Sequence, residues 1–283
     1  MKMKFSEFVQ LEEKLMVFGK KAYPKFNNVL ILAGGAGSGK GFVTSKLVGL
    51  EGITLDVDRV KELAMASTKL AGRIKAETGH DISKFDLKKP ENVSTLHSLL
   101  SDVYKTTKNM DKRVFNGVLA APEDRKPNLI FDVTLKDMGK MAQIAKQVRE
   151  LGYNKENVHI VWVMNDINVA MKQNAERSRT VPVEILVATH EGASMTFKNL
   201  MAMGEGARSY ADGDWYIAFN KIGVDSSIAK SGKGGSYVKE ANYIRVKQQG
   251  KAPMKATELD KQIVNKISDY IPNPETWAMV MKK

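Results

Sequence analysis

The chain has no cysteine. That excludes disulfides, thiolate zinc sites and cysteine nucleophiles together. Only four histidines are scattered through 283 residues, so a histidine-built metal centre has too few ligands to draw on. No run approaches the roughly 18 consecutive apolar residues that a membrane span requires. The acidic pair Glu12-Glu13 interrupts the first segment where a secretion signal needs an unbroken apolar stretch. A cytoplasmic protein with no membrane partner is therefore expected. Charged residues make up 27% and hydrophobic residues 43%, which suits a buried core and not a disordered chain. The length suits one core with appendages.

Acidic charge is the other shortage. Lysine and arginine total 44 against 32 acids, a net +12. Residues 221–255 hold eight basic residues and two acids, so half of the excess lies in one short segment. A balance of this kind points to a polyanionic partner, although solvated lysines alone produce it as well. Lys230, Lys233, Lys239, Arg245 and Lys247 are the residues that would meet a phosphate backbone, with Tyr237 and Tyr243 among them for stacking.

Five short apolar runs alternate with helical patterns: 28–33, 53–56, 129–132, 159–164 and 215–219. Alternation of this kind predicts an α/β fold, a parallel five-stranded sheet with helices on both faces. Residues 60–120 read as helix-rich. The expected organisation is an amphipathic N-terminal helix within residues 1–24, a core with a lid over 25–220, and a basic hairpin with a C-terminal helix over 221–283.

The strongest motif is Gly34-Gly35-Ala36-Gly37-Ser38-Gly39-Lys40-Gly41, followed by Phe42. It satisfies G-x-x-x-x-G-K and stands between an expected strand and an expected helix, which is the context of a phosphate-binding loop. Glycines let successive backbone N–H groups wrap a phosphate without intervening side chains. Lys40 adds a point charge that follows the β- and γ-phosphates. These features predict ATP as the ligand, with Gly35 to Phe42 around it. Ser or Thr usually follows the lysine and holds Mg²⁺. Gly41 stands there instead, and Thr44 and Ser45, further along the helix, are the nearby substitutes, with Thr44 the candidate metal ligand beside Asp132. The later Ser231-Gly232-Lys233-Gly234 mimics the motif, but no apolar strand precedes it.

Ligands in open α/β sheets sit at the carboxyl ends of strands. Asp56 and Asp58 follow the second strand, and Asp132 ends the third. A kinase needs a carboxylate beside the acceptor hydroxyl and another near the metal. Asp58 suits the first role and Asp132 the second. Asp56 competes with Asp58, since strand alternation puts both on one face. Asp58 also suits a helix N-cap. Arg177 and Arg179, at a break between two helices, are placed to stabilise charge on a transferring phosphoryl group.

This order of motifs resembles the P-loop kinases of the polynucleotide 5′-kinase and zeta-toxin branch over roughly residues 28–220. The Gly after Lys40 is similar to that of adenylate kinases. In the polynucleotide kinases a D-x-x-R segment supplies the base and an acceptor-side arginine. Here the segment is Asp58-Arg59-Val60-Lys61, so the resemblance implies an acceptor-side role for Lys61, with Arg59 as a substitute. The family's lid arginine before Val-Pro matches Arg177 ahead of Val181-Pro182. The resemblance implies an ATP- and Mg²⁺-dependent kinase acting on a hydroxyl of a nucleic acid, DNA sooner than RNA. That hydroxyl is a 5′ end or a hydroxymethylated base, as in some similar bacteriophage kinases. Two alternatives stay open: a zeta-toxin-like kinase of a nucleotide sugar, and a nucleotide-gated nucleic-acid-binding ATPase.

Overall fold

The computed structural model describes residues 16–19, 23–177, 179–230, 236–275 and 277. The five expected strands all form: β1 (Val29–Ala33), β2 (Ile53–Leu55), β3 (Leu129–Asp132), β4 (Val158–Met164) and β5 (Trp215–Phe219). They run parallel in the order β2-β3-β1-β4-β5. β1, the central strand of these five, is buried along its whole length, which is why it reads as an unbroken apolar run. Its alternate residues serve two cores. Val29, Ile31 and Ala33 face one layer with Ile144, Phe197 and Ile267, and Leu30 and Leu32 face the other with Val43 and Leu47.

The sheet has seven strands and not five. β6 (Ser226–Lys230) and β7 (Ser236–Lys247) form an antiparallel hairpin, and β7 pairs antiparallel with β5, extending the sheet to the order β2-β3-β1-β4-β5-β7-β6. The sequence marked a basic hairpin within 221–283 but not its pairing with the sheet. β7 carries little apolar alternation until Ile244 and Val246, so periodicity gave no reason to place it beside β5.

Helices fill the crossovers. α1 (Lys40–Lys46) leaves the glycine loop. Between β2 and β3 lies an all-helical insertion of α2 (Val57–Ala66), α3 (Thr68–Thr78), α4 (Pro90–Ser98, continued by a π-turn to Val103) and α5 (Thr106–Ala120). The insertion has its own small core around Ile74, Ile82, Leu96 and Leu100. α6 (Met138–Glu150) follows β3, α7 (Ile167–Glu176) follows β4, and α8 (Val183–Ala202) leads to β5. α9 (Lys261–Tyr270) packs Val264 and Ile267 into the same core as α8, and Trp277 stacks on Trp162 with ring centroids 5.7 Å apart.

The helix expected within residues 6–21 falls mostly outside the described residues. At its end Met16 bridges to Val48, and Met16 and Phe18 are both buried, a strand-like alternation. Among the described residues no helix is long and apolar enough to cross a membrane.

Candidate active site

A cleft of about 1000 Å³ opens at the carboxyl ends of β1, β2 and β3. Its walls are the loop Ala36–Phe42, the strand ends Asp56, Asp58 and Asp132, the β3–α6 connection, and the α7–α8 connection with Arg177 and Arg179. The topology thus gathers all three sequence-marked carboxylates, the lysine and both arginines around one space.

The glycine loop turns through two left-handed residues, Gly37 at φ 72° and Gly39 at φ 89°, a conformation that costs a side-chain-bearing residue about 1 kcal/mol or more. Lys40 folds back over the loop. Its Nζ donates to the carbonyl of Gly34 at 2.8 Å and lies 3.8 Å from Asp132. Burial pushes the Lys40 ammonium below its usual range, and Asp132 opposes that shift. Burial pushes the Asp132 carboxyl up, Lys40 pulls it down, and Asp56 and Asp58 add repulsion.

The structure separates Asp56 from Asp58. Asp56 is the N-cap of α2, its Oδ1 accepting the Asp58 N–H at 2.8 Å. The capping role that the sequence allowed for Asp58 belongs to Asp56, and Asp58 sits in the first turn with its carboxylate on the cleft. Asp58 pairs with Arg179 and lies 3.6 Å from Lys61. Burial works to raise the Asp58 carboxyl. The hydrogen bond and charge of Arg179, with Lys61 and Arg177 behind them, outweigh burial and hold it below the usual carboxylate range.

Lys61 is buried and reaches the site only through Asp58. Arg59 does not share the site: its side chain is 69% exposed, pairs with Glu62 and is no part of the cleft wall. Thr44 is not on the wall either, and its hydroxyl donates to the Lys40 carbonyl at 2.8 Å. Gly35 lies under the loop and not on the cleft surface.

Asn174 braces the arginine-bearing turn, its amide donating to the Val181 carbonyl at 2.7 Å and its Oδ1 accepting the Val181 N–H at 3.0 Å. Thr180 then bonds the carbonyls of Leu87 and Lys88, which rests the turn on the helical insertion.

The donor set accommodates a magnesium ion without a protein hydroxyl. A Cβ built on Gly41 would meet nothing within 4 Å, so the position beside the loop is open, and Asp132 lines the same cleft. Mg²⁺ keeps several waters and takes one or two carboxylates with substrate phosphates, which one aspartate can supply.

Sequence reasoning missed the contacts beneath the loop. His190 Nε2 lies 2.8 Å from the Ala36 carbonyl, Thr189 accepts the Ala36 N–H, Asn165 donates to the Gly37 carbonyl, and Asn220 donates to the Ser38 carbonyl. Asn165 and Asn220 each directly follow an apolar strand, a position that could have marked them. Nothing local marked His190, midway along α8. The β3–α6 connection adds Lys136 and Lys140 to the cleft wall, also unmarked.

The basic segment lies elsewhere. Among the described residues of 221–255, none lines the cleft. Lys247 is wholly buried and bonded to Asp212 at 3.0 Å, Arg245 is 3.7 Å from Asp214, and Lys221 pairs with Asp166. Lys230 and Lys239 are exposed and in no ion pair among the described residues. Lys233 lies outside the described residues.

No protein-family model and no curated protein matches the chain. Among solved structures, the AvrRxo1-ORF1:AvrRxo1-ORF2 complex with ATP is similar at 12% identity and a TM-score of 0.39, over 91% of this chain and 75% of that one. A structure of the PezAT chromosomal toxin–antitoxin system of Streptococcus pneumoniae is similar at 12% identity and a TM-score of 0.43, over 78% of each chain. TT1252 from Thermus thermophilus is similar at 16% identity and 0.33, over 70% of this chain and 90% of that one. Scores this low carry no argument, and the reading of the site stands on its own strand order, loop and side chains.

Proposed function

We propose that the chain is an ATP-dependent phosphotransferase that moves the γ-phosphoryl group to a hydroxyl of an acceptor held in the cleft. The observation that carries this reading is the meeting of the glycine loop and Lys40 with Asp58, Asp132, Arg177 and Arg179 around one space. Asp132 would serve nucleotide binding alone, whereas Asp58 beside two arginines also suits an acceptor hydroxyl.

In this reading the loop N–H groups and Lys40 hold the triphosphate, and Asp58 faces the acceptor. Asp58 takes the hydroxyl proton as the acceptor oxygen bonds to the γ-phosphorus and the bond to the bridging oxygen of the leaving ADP breaks. Arg177 and Arg179 meet the charge spread over the equatorial oxygens. Magnesium, when bound, neutralises phosphate charge, and Asp132 is the residue that would hold it through its carboxylate.

For the acceptor, a cleft of about 1000 Å³ walled by Asp58, Arg177, Arg179 and the β3–α6 connection fits a small molecule, in line with the nucleotide-sugar alternative. A nucleic-acid acceptor is the second reading. Its support is the exposed, unpaired pair Lys230 and Lys239 on the β6–β7 hairpin. Incubation with γ-labelled ATP and separate pools of DNA, RNA, nucleosides and sugar nucleotides tests the whole reading. Label in a small acceptor supports the first form and label in polymer the second. Label released only as free phosphate would reject transfer and leave a hydrolase.

A further inference from the structure

We propose that His190, Asn165 and Asn220 are positioning residues that aim the phosphate loop, each tying one of three consecutive loop carbonyls so that the opposite side of the peptide faces the cleft. This rests on the reading of the loop as a phosphate site.

The three ties come from three different elements. His190 on α8 holds the Ala36 carbonyl at 2.8 Å, Asn165 after β4 holds that of Gly37 at 3.0 Å, and Asn220 after β5 holds that of Ser38 at 3.0 Å. A trans peptide is planar, with C=O and N–H pointing in opposite directions. Fixing three carbonyls on the protein side therefore turns the N–H groups of Gly37, Ser38 and Gly39 the other way. The Ser38 N–H closes the turn onto the Gly35 carbonyl at 3.2 Å. Those of Gly37 and Gly39 donate to nothing among the described residues and are left for an anion.

The glycines of the motif carry the same message. Gly35 has no positive φ, so backbone conformation does not demand glycine there. A Cβ at Gly35 would lie 2.1 Å from the His190 ring, and one at Gly39 would lie 1.7 Å from the Asn220 amide nitrogen. The ties thus explain two glycines that turn geometry explains only in part.

Two of these side chains carry a cost to the fold. His190, Asn165 and Asn220 are 5%, 0% and 3% exposed. Asn165 Oδ1, Asn220 Oδ1 and Ser38 Oγ have no hydrogen-bond partner among the described residues. A buried acceptor left unsatisfied costs stability that an apolar side chain would not lose. Asn165 is itself fixed, its amide also donating to Gln173 at 3.0 Å. His190 must carry its proton on Nε2 to donate to a carbonyl. Burial, with Lys40 behind it and against the pull of the Ala36 bond, keeps the ring below its usual pKa and so neutral at pH 7.

The test is calorimetric binding of tripolyphosphate and of adenosine, read beside the thermal midpoint of each free protein. Asn220→Leu keeps nearly the same volume, loses the donor and adds no charge, and His190→Ala loses ring and donor together. Each should weaken tripolyphosphate binding about tenfold or more with adenosine binding unchanged. His190→Gln, which keeps a donor, should stay within about threefold of the original protein. Asn220→Leu opens no cavity, so a lowered midpoint for His190→Ala does not remove the test. Tripolyphosphate binding within twofold of the original in both Asn220→Leu and His190→Ala overturns the proposal. If Lys40→Ala weakens binding while these two variants do not, the loop reading stands and the positioning roles fall. If the original protein binds no tripolyphosphate, both fall.

Discussion

Two regions of this molecule concentrate opposite charges, and they use them differently. At the cleft, Lys40, Arg177, Arg179 and the three aspartates stand around open space. Lys40 and Asp132 are 3.8 Å apart, too far for a hydrogen bond. At the far side of β5, Lys247 is sealed against Asp212, which also takes Arg208 at 2.9 Å, and Lys247 lies 5.7 Å above the Trp215 ring. The first arrangement pairs Asp58 with Arg179 on the cleft wall, where a ligand can compete for the charges. The second spends it on holding β7 to β5 and to the turn before β5. Net charge along the sequence therefore says little about where a polyanion binds. The densest basic segment is partly internal mortar, and the cleft gathers cations spread over more than 100 residues, Lys40 to Arg179.

The largest expected effect is on the cleft side. Lys40→Ala should lower phosphoryl transfer by about 10²–10³-fold or more while far-UV circular dichroism and the thermal midpoint stay near those of the original. A folded variant with normal turnover would remove the distinction between the two regions. The reverse pattern is expected at the far edge. Asp212→Ala leaves the Lys247 ammonium buried with only carbonyl partners, and breaking a buried pair in this way costs about 3–5 kcal/mol. Denaturant unfolding should show that loss, and transfer per folded molecule should not change.

Arg179→Ala sharpens the cleft account through pH. Asp58 is held low in the folded protein, so it is ionised across neutral pH, and the acid limb of the rate profile should lie below the ordinary carboxylate range. Removing Arg179 takes away the main opposition to burial. The limb should then move to higher pH, read as kcat/KM against pH, which reports groups of the free enzyme, and a limb that does not move would mean that Asp58 is not the group reported. The smallest effect is expected on the hairpin. If a nucleic acid is the acceptor, Lys230→Gln with Lys239→Gln should flatten the slope of log affinity against log salt by about 0.9 per lost contact. An unchanged slope leaves these lysines as solvated surface.

What the sequence showed depended on how local each signal was. β1 and the loop Gly34–Gly41 were legible because an apolar run, a glycine pattern and a lysine lie within a dozen residues. Asp132 was legible as an acid at a strand end and Asp58 as an acid just past one. The choice between Asp56 and Asp58 was not, because strand alternation would put both on one face, whereas the strand ends at Leu55 and the cap hydrogen bond distinguishes them. Contacts across long chain separations left no mark. The tie from Asn165 to Gly37 spans 128 residues and that from His190 to Ala36 spans 154. Lys247 misled for the same reason: beside Arg245 it reads as a solvated lysine, and its partner Asp212 lies 35 residues back. The pairing of β7 with β5 is equally non-local.

The central claim is that Asp58 serves the acceptor and not the nucleotide. Label transfer and ATP affinity measured together on Asp58→Asn test it most directly. The account predicts transfer reduced by about 10²–10⁴-fold, the usual worth of a positioned general base, with ATP affinity within about threefold, since a base acts in the chemical step. Full transfer by Asp58→Asn, or an ATP affinity that falls as far as the rate, would contradict it.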